Sequence, residues 1–194
     1  MGNQQGRDHG AGLSSANRRI LGIDPGTVAT GWGVVEMSGS GLIHLAHGTI
    51  GSSASHDQGS RLCRIYHGLQ EVLQRYDPQG VSLEKVFFAR NPQSTLKLGQ
   101  ARGVALLAAA EKRVALHEYS SAEIKLAVVG YGQAAKEQVQ KMVASLLHLP
   151  ERIPSDAADA LAAAICHLHQ SSFHDRVAGS LPAAARELRH WKMS

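Results

Sequence analysis

The chain has 194 residues, of which 43% are hydrophobic, and a formal charge of +4 from 20 basic and 16 acidic side chains; this suits one globular domain with a proper core. Cys63 and Cys166 are its only cysteines, which excludes a disulfide framework or a zinc ribbon, and both are expected as buried small hydrophobes. No wholly apolar run is longer than Ala160–Cys166, which excludes a membrane-spanning helix.

Residues 1–17 are rich in Gly, Ser, Asn and Gln and carry no apolar leader core, so a disordered tail and a cytoplasmic location are expected. The domain is expected over residues 18–170. Ile20–Asp24 reads as a short buried strand that stops at a single acid, with Pro25-Gly26 forcing a turn. Thr30–Glu36 and Leu42–Ile50 follow as strands, joined by the hairpin signal Gly39-Ser40-Gly41. Arg61–Tyr76 has apolar residues at helical spacing and ends at Asp77-Pro78-Gln79-Gly80. Val81–Phe88 is a strand interrupted by Glu84, and Pro92 opens a helix that runs to about Lys112. Val114–His117 is a short strand. Ser120 caps a helix that stops near Gly130, and another helix spans roughly Ala134–His148. Ser155–His169 is an Ala-rich helix opening on Asp156 and Asp159. Residues 171–194 form a tail without an assigned element. The order describes an α/β domain whose mixed five-stranded sheet begins as an antiparallel meander and continues with parallel strands joined by helices. His167 and His169, two apart on a helix, face different ways, which argues against a His metal site.

Four acids sit where local rules do not ask for an acid, or ask only weakly. Asp24 ends the first strand, Glu84 breaks an apolar run, and Asp156 and Asp159 share one helix face. Each has a local explanation as well. Asp24 can cap its turn, Glu84 can be a solvated strand position, and the helical pair can complement the helix dipole. As a set they favour a shared site: if the first strand and the strand at Val81 are neighbours, Asp24 and Glu84 project from the same sheet end. Four clustered carboxylates repel unless cations neutralise them. Hard ions with oxygen ligands, Mg²⁺ or Mn²⁺, are the natural partners. Two such ions would activate a water and stabilise the leaving oxygen in phosphodiester hydrolysis. Between Lys85 and Lys141 nine basic residues face four acids, a balance compatible with a polyanionic partner.

Several segments together resemble the RuvC family of bacterial Holliday junction resolvases. They are Gly22-Ile23-Asp24-Pro25-Gly26-Thr27 with Thr30–Val35, Glu84–Asn91, Leu96–Val104, Val128–Gly132 and Asp156–Ala162, in the family's order between about Arg19 and His169. The resemblance implies a ribonuclease H-like fold and a bacterial, cytoplasmic homodimer that binds a four-way DNA junction. It implies two Mg²⁺ ions per site, with Mn²⁺ an acceptable substitute, and paired nicks in strands of like polarity that leave 5′-phosphate and 3′-hydroxyl ends. It also implies cooperation with the RuvA–RuvB branch-migration complex. The family's metal-binding acids fall on Asp24, Glu84, Asp156 and Asp159. Its base-stacking aromatic falls on Phe87, although strand alternation leaves open whether Phe87 or Phe88 is the exposed ring. Its basic residues near the site fall on Lys125 and Lys136, and Arg90, Lys97 and Arg102 are further DNA-binding candidates. The helix from Pro92 matches the dimer-forming region, where Gly99, Gly103 and Ala105 suit close approach. Gly22–Thr27 is also similar to the phosphate loop of actin/Hsp70-type ATPases, but those need two such domains. A different ribonuclease H-like nuclease and a non-catalytic DNA-binding module are the remaining alternatives, and the complete acid set weighs against the second.

Overall fold

The computed structural model describes residues 18–26, 28–51, 57–85, 92–150 and 153–180. Five strands, β1 (Arg18–Asp24), β2 (Ala29–Ser38), β3 (Gly41–Gly51), β4 (Gly80–Glu84) and β5 (Ala115–Tyr119), form one sheet of order β3-β2-β1-β4-β5. β1 pairs antiparallel with β2, and β2 with β3; β1 pairs parallel with β4, and β4 with β5. The expected meander followed by parallel strands is therefore the observed topology. Among the described residues five helices accompany it: α1 (Gln58–Tyr76), α2 (Pro92–Glu111), α3 (Ser121–Val129), α4 (Lys136–Leu146) and α5 (Ser155–Ser180).

The sheet is covered on both faces. Leu21, Ile23, Val34, Val81 and Leu83 pack with the buried side chains of α1 and α2. Ile20, Val35 and Met37 pack on the other face with α3, α4 and α5. Because strand side chains alternate, Gly22 and Asp24 share the α5 face with Ile20. The same alternation puts Ser82 and Glu84 on the α5 face of β4, and Ser82 Oγ donates to the Ala163 carbonyl at 2.7 Å. α5 lies so close to the sheet that a Cβ on Gly22 would stand 1.8 Å from the Ala160 carbonyl oxygen, and one on Gly31 2.0 Å from that of Asp156. Glycine in these strand interiors is what lets the helix backbone approach.

Several boundaries differ from the sequence reading. α1 starts at Gln58 because Asp57 caps it, its carboxylate accepting from Ser60 N–H at 3.0 Å. Cys63 is exposed, unlike buried Cys166, because the core stripe of α1 is Ile65, Leu69, Val72 and Leu73. α5 continues past His169 to Ser180. Ser171 and Ser172 do not break it, since their hydroxyls fold back onto the Leu168 carbonyl at 3.2 and 2.7 Å. The expected caps of α3 are present: Ser120 and Glu123 form a reciprocal capping box, and Gly130 ends the helix at φ +93°.

Candidate active site

The site is built where β1, β4 and α5 meet. Asp24 is the last residue of β1, paired with Gly31 of β2. Asp156 backbone passes directly over Gly31, so the start of α5 stands beside Asp24. Glu84 ends β4 one position beyond the Ile23–Leu83 pair, at the same edge and on the same face. The turn after Asp24 is closed on itself: Thr30 Oγ1, fully buried, donates to the Gly26 carbonyl at 2.7 Å and accepts from Gly26 N–H at 3.3 Å. Asp24 is thus held by a strand on one side and a fixed turn on the other.

Electrostatics record the convergence. Burial, then the charges of Asp159, Asp156 and Glu84, push the Asp24 carboxyl up to about 7, with Lys136 opposing them. Lys136 Nζ donates to Asp159 Oδ2 at 2.6 Å, and that hydrogen bond raises the lysine's own proton affinity. A lysine therefore supplies the nearest positive charge to a set of oxygen donors. Among the described residues no three His, Cys, Asp or Glu side chains gather closely enough to enclose an ion. The donor chemistry is that of a hard divalent cation: four carboxylates, one of which, Asp24, is pushed up to about 7 by burial first and by the other three acids second.

Two clefts flank the acids. One, of about 220 Å³, is lined by Glu84, Ser121, Ile124, Lys125, Lys136, Val139, Asp159 and Ala162. The other, of about 410 Å³, is lined by Gly26, Val28, Ala29, Ser94, Lys97, Leu98 and Asp156. A larger cleft of about 690 Å³ between β3 and α1 includes Ile50, Cys63 and His67, and none of the four acids lines it.

The structure thus brings Asp24, Glu84, Asp156, Asp159, Lys125, Lys136 and Lys97 into one neighbourhood. Arg102 is placed elsewhere. It forms an ion pair with Glu118, which shares the α1/α2 face of β5 with Leu116, opposite the face that carries the acids. Phe87, Phe88 and Arg90 lie outside the described residues. Sequence reasoning missed Ser82 and Thr30, the two buried hydroxyls that tie β4 to α5 and close the Asp24 turn. Their signal was a polar residue inside an apolar strand, two positions before Glu84 in one case. Ser121 gave no signal beyond its place in a first helical turn.

Comparison with known proteins identifies the family. The family model described as "Crossover junction endodeoxyribonuclease RuvC" matches residues 20–167. A crossover junction endodeoxyribonuclease from Pelobacter propionicus is 48% identical over 174 residues, covering 90% of this chain and 99% of the relative. One from Syntrophotalea carbinolica is 51% identical over 157 residues, covering 81% and 98%. Among solved structures, T. thermophilus RuvC in complex with a Holliday junction substrate superposes with a TM-score of 0.77 at 36% identity, covering 81% of this chain and 96% of that one. A yeast mitochondrial Holliday junction resolvase, 17% identical with a TM-score of 0.61, shares the fold. Match lengths and identities of this order mean that the chain belongs to the RuvC family of crossover junction endodeoxyribonucleases.

Proposed function

We propose that this protein resolves four-way DNA junctions by hydrolysing phosphodiester bonds at a divalent-cation site held by Asp24, Glu84, Asp156 and Asp159. The observation that carries the reading is the electrostatic convergence of these acids from two neighbouring strands and one helix start, which burial and mutual repulsion register at Asp24. Mg²⁺ is the proposed ion, with Mn²⁺ a substitute. When bound, such ions supply Lewis-acid stabilisation of the phosphate and a more acidic water.

The chain's own residues do the rest. β1 and its closed turn fix Asp24, and the Ser82–Ala163 bond fixes β4, and with it Glu84, against α5. Lys125 and Lys136, in the cleft beside Glu84 and Asp159, offset the charge that builds on the phosphate. Lys136 is shared between Asp159 and a phosphate oxygen. In the reaction a water oxygen bonds to phosphorus and the P–O3′ bond breaks. The departing oxygen takes a proton, leaving 3′-hydroxyl and 5′-phosphate ends. Phe87 is the proposed base-stacking ring.

Two copies of the chain are proposed to act together, each nicking one of two strands of like polarity. The exposed face of α2 suits such a pairing: Leu96 and Leu107 are 65% and 52% exposed, and nothing stands within 4 Å of a Cβ placed on Gly99 or Gly103. The RuvA–RuvB complex is the proposed cellular partner in recombination and repair.

The test is a synthetic four-way junction incubated with and without Mg²⁺, with the nicks mapped. Symmetric nicks that require the ion are expected. Asp24→Asn should bind the junction and lose cleavage by at least about 10²–10³-fold. Cleavage that survives this substitution unchanged would refute the assignment.

A further inference from the structure

Apart from Asp156 and Gly26, the residues lining the cleft on the Asp156 side have no part in the chemistry described above, yet the lining is specific. Val28, 69% exposed, and Leu98 give it an apolar wall, while Lys97 and the Ser94 hydroxyl add a cation and a small donor. Ser94 and Lys97 belong to the first turns of α2, a helix of 20 residues with no acid in its first turn. The dipole of the helix therefore adds to the positive potential there. The cleft holds about 410 Å³, within the range of small-ligand sites. An apolar wall joined to a cation and a hydroxyl matches one nucleotide, whose sugar offers a C–H surface and whose phosphate is anionic.

Its position narrows the choice. The start of α5 is the common wall of both flanking clefts: Asp159 lines the one holding Lys125 and Lys136, and Asp156 lines the one holding Lys97. Each cleft thus opens onto one acid of the pair. A chain of phosphates lying over the acids must leave by both sides, and each side presents lysine.

We propose that the cleft between Gly26, Val28, Ala29 and α2 seats the nucleotide next to the scissile phosphate, with Lys97 and Ser94 on its phosphate and Val28 against its sugar. The cut strand then crosses the start of α5 from the Lys125/Lys136 cleft to the Lys97 cleft. Lys97, Ser94 and Val28 are positioning residues; none touches the reacting atoms. This rests on the nuclease reading of the acids.

The test uses the full-length chain and a four-way junction carrying single neutral methylphosphonates at each phosphate flanking the cut. For the wild type, one flanking substitution should raise KM roughly tenfold. Lys97→Ala should raise KM similarly on the unmodified junction, leave kcat within about twofold, and be indifferent to that same methylphosphonate. Its binding should lose about one unit of log–log salt slope, and Lys97→Arg should restore most of the affinity. Val28→Asp should raise KM through charge repulsion. Unchanged KM and salt slope in Lys97→Ala, or a fall in kcat alone, overturns the proposal. A wild type that fails to cut the junction defeats the nuclease reading instead, so the two failures are distinguishable.

Discussion

Asp24 is the residue on which the site's energetics turn. Its folded-state value of about 7 lies above its ordinary 3.8 because burial and three acids oppose its charge. A fold that binds this proton more tightly than the unfolded chain loses stability as the proton leaves. The metal-free protein is therefore expected to be most favoured, at this site, below about pH 4, where the carboxyl is protonated in both states. It should lose on the order of 3 kcal/mol as the pH rises to 7, and recover none of it above. Asp24→Asn removes that loss. In EDTA, the midpoint difference between this variant and wild type should be small at pH 4.5 and several degrees in the variant's favour at pH 8. Mg²⁺ should then raise the wild type selectively. A wild type equal to Asp24→Asn at pH 8 in EDTA would show that Asp24 is not under this strain. At the same scale, alternation along strands was enough to put Asp24 and Glu84 on one face once β1 and β4 were taken as neighbours. What it could not show was Lys136 bound to Asp159, because a pairing 23 positions apart in sequence depends on how α4 docks against α5.

At the scale of elements, α5 is the organising helix. It lies on β1 and β2 through Gly22, Gly31 and Gly33, whose missing side chains leave room for the Ala160 carbonyl, the Asp156 carbonyl and Leu161. Gly22→Ala puts a methyl carbon 1.8 Å from a backbone oxygen that cannot rotate away. The helix must shift, at a cost of about 2–4 kcal/mol, which a urea titration would measure. Asp156 and Asp159 move with it, so junction cleavage should fall more than folding alone explains. Full stability in Gly22→Ala would mean that α5 sits further from the sheet. The start of α5 was legible from its Asp-x-x-Asp opening and its Ala-rich run. Its end was not, since Gln170, Ser171 and Ser172 look like a stop, and the two serine hydroxyls instead turn inward to the Leu168 carbonyl. Likewise the extent of α1 depended on Asp57, a cap that sits in a polar stretch resembling a loop.

For the molecule as a whole, charge decides how it meets a polyanion. Its net +4 is modest, but the lysines at the acid edge come from α2, α3 and α4, which converge from both faces of the sheet. Junction affinity is expected to fall steeply with salt, with Lys125→Ala and Lys136→Ala each reducing the log–log slope by about one. Slopes identical to wild type would argue against direct phosphate contact. No helix among the described residues is long and apolar enough to cross a membrane. The four acids come from positions 24, 84, 156 and 159, with the last pair on the final described helix. A polypeptide still emerging from the ribosome carries Asp24 and Glu84 long before it carries their partners, and domains fold as units once enough chain is available. On the proposed assignment, the capacity to cut therefore waits for Asp156 and Asp159, and a chain terminated before them lacks half of the acid set.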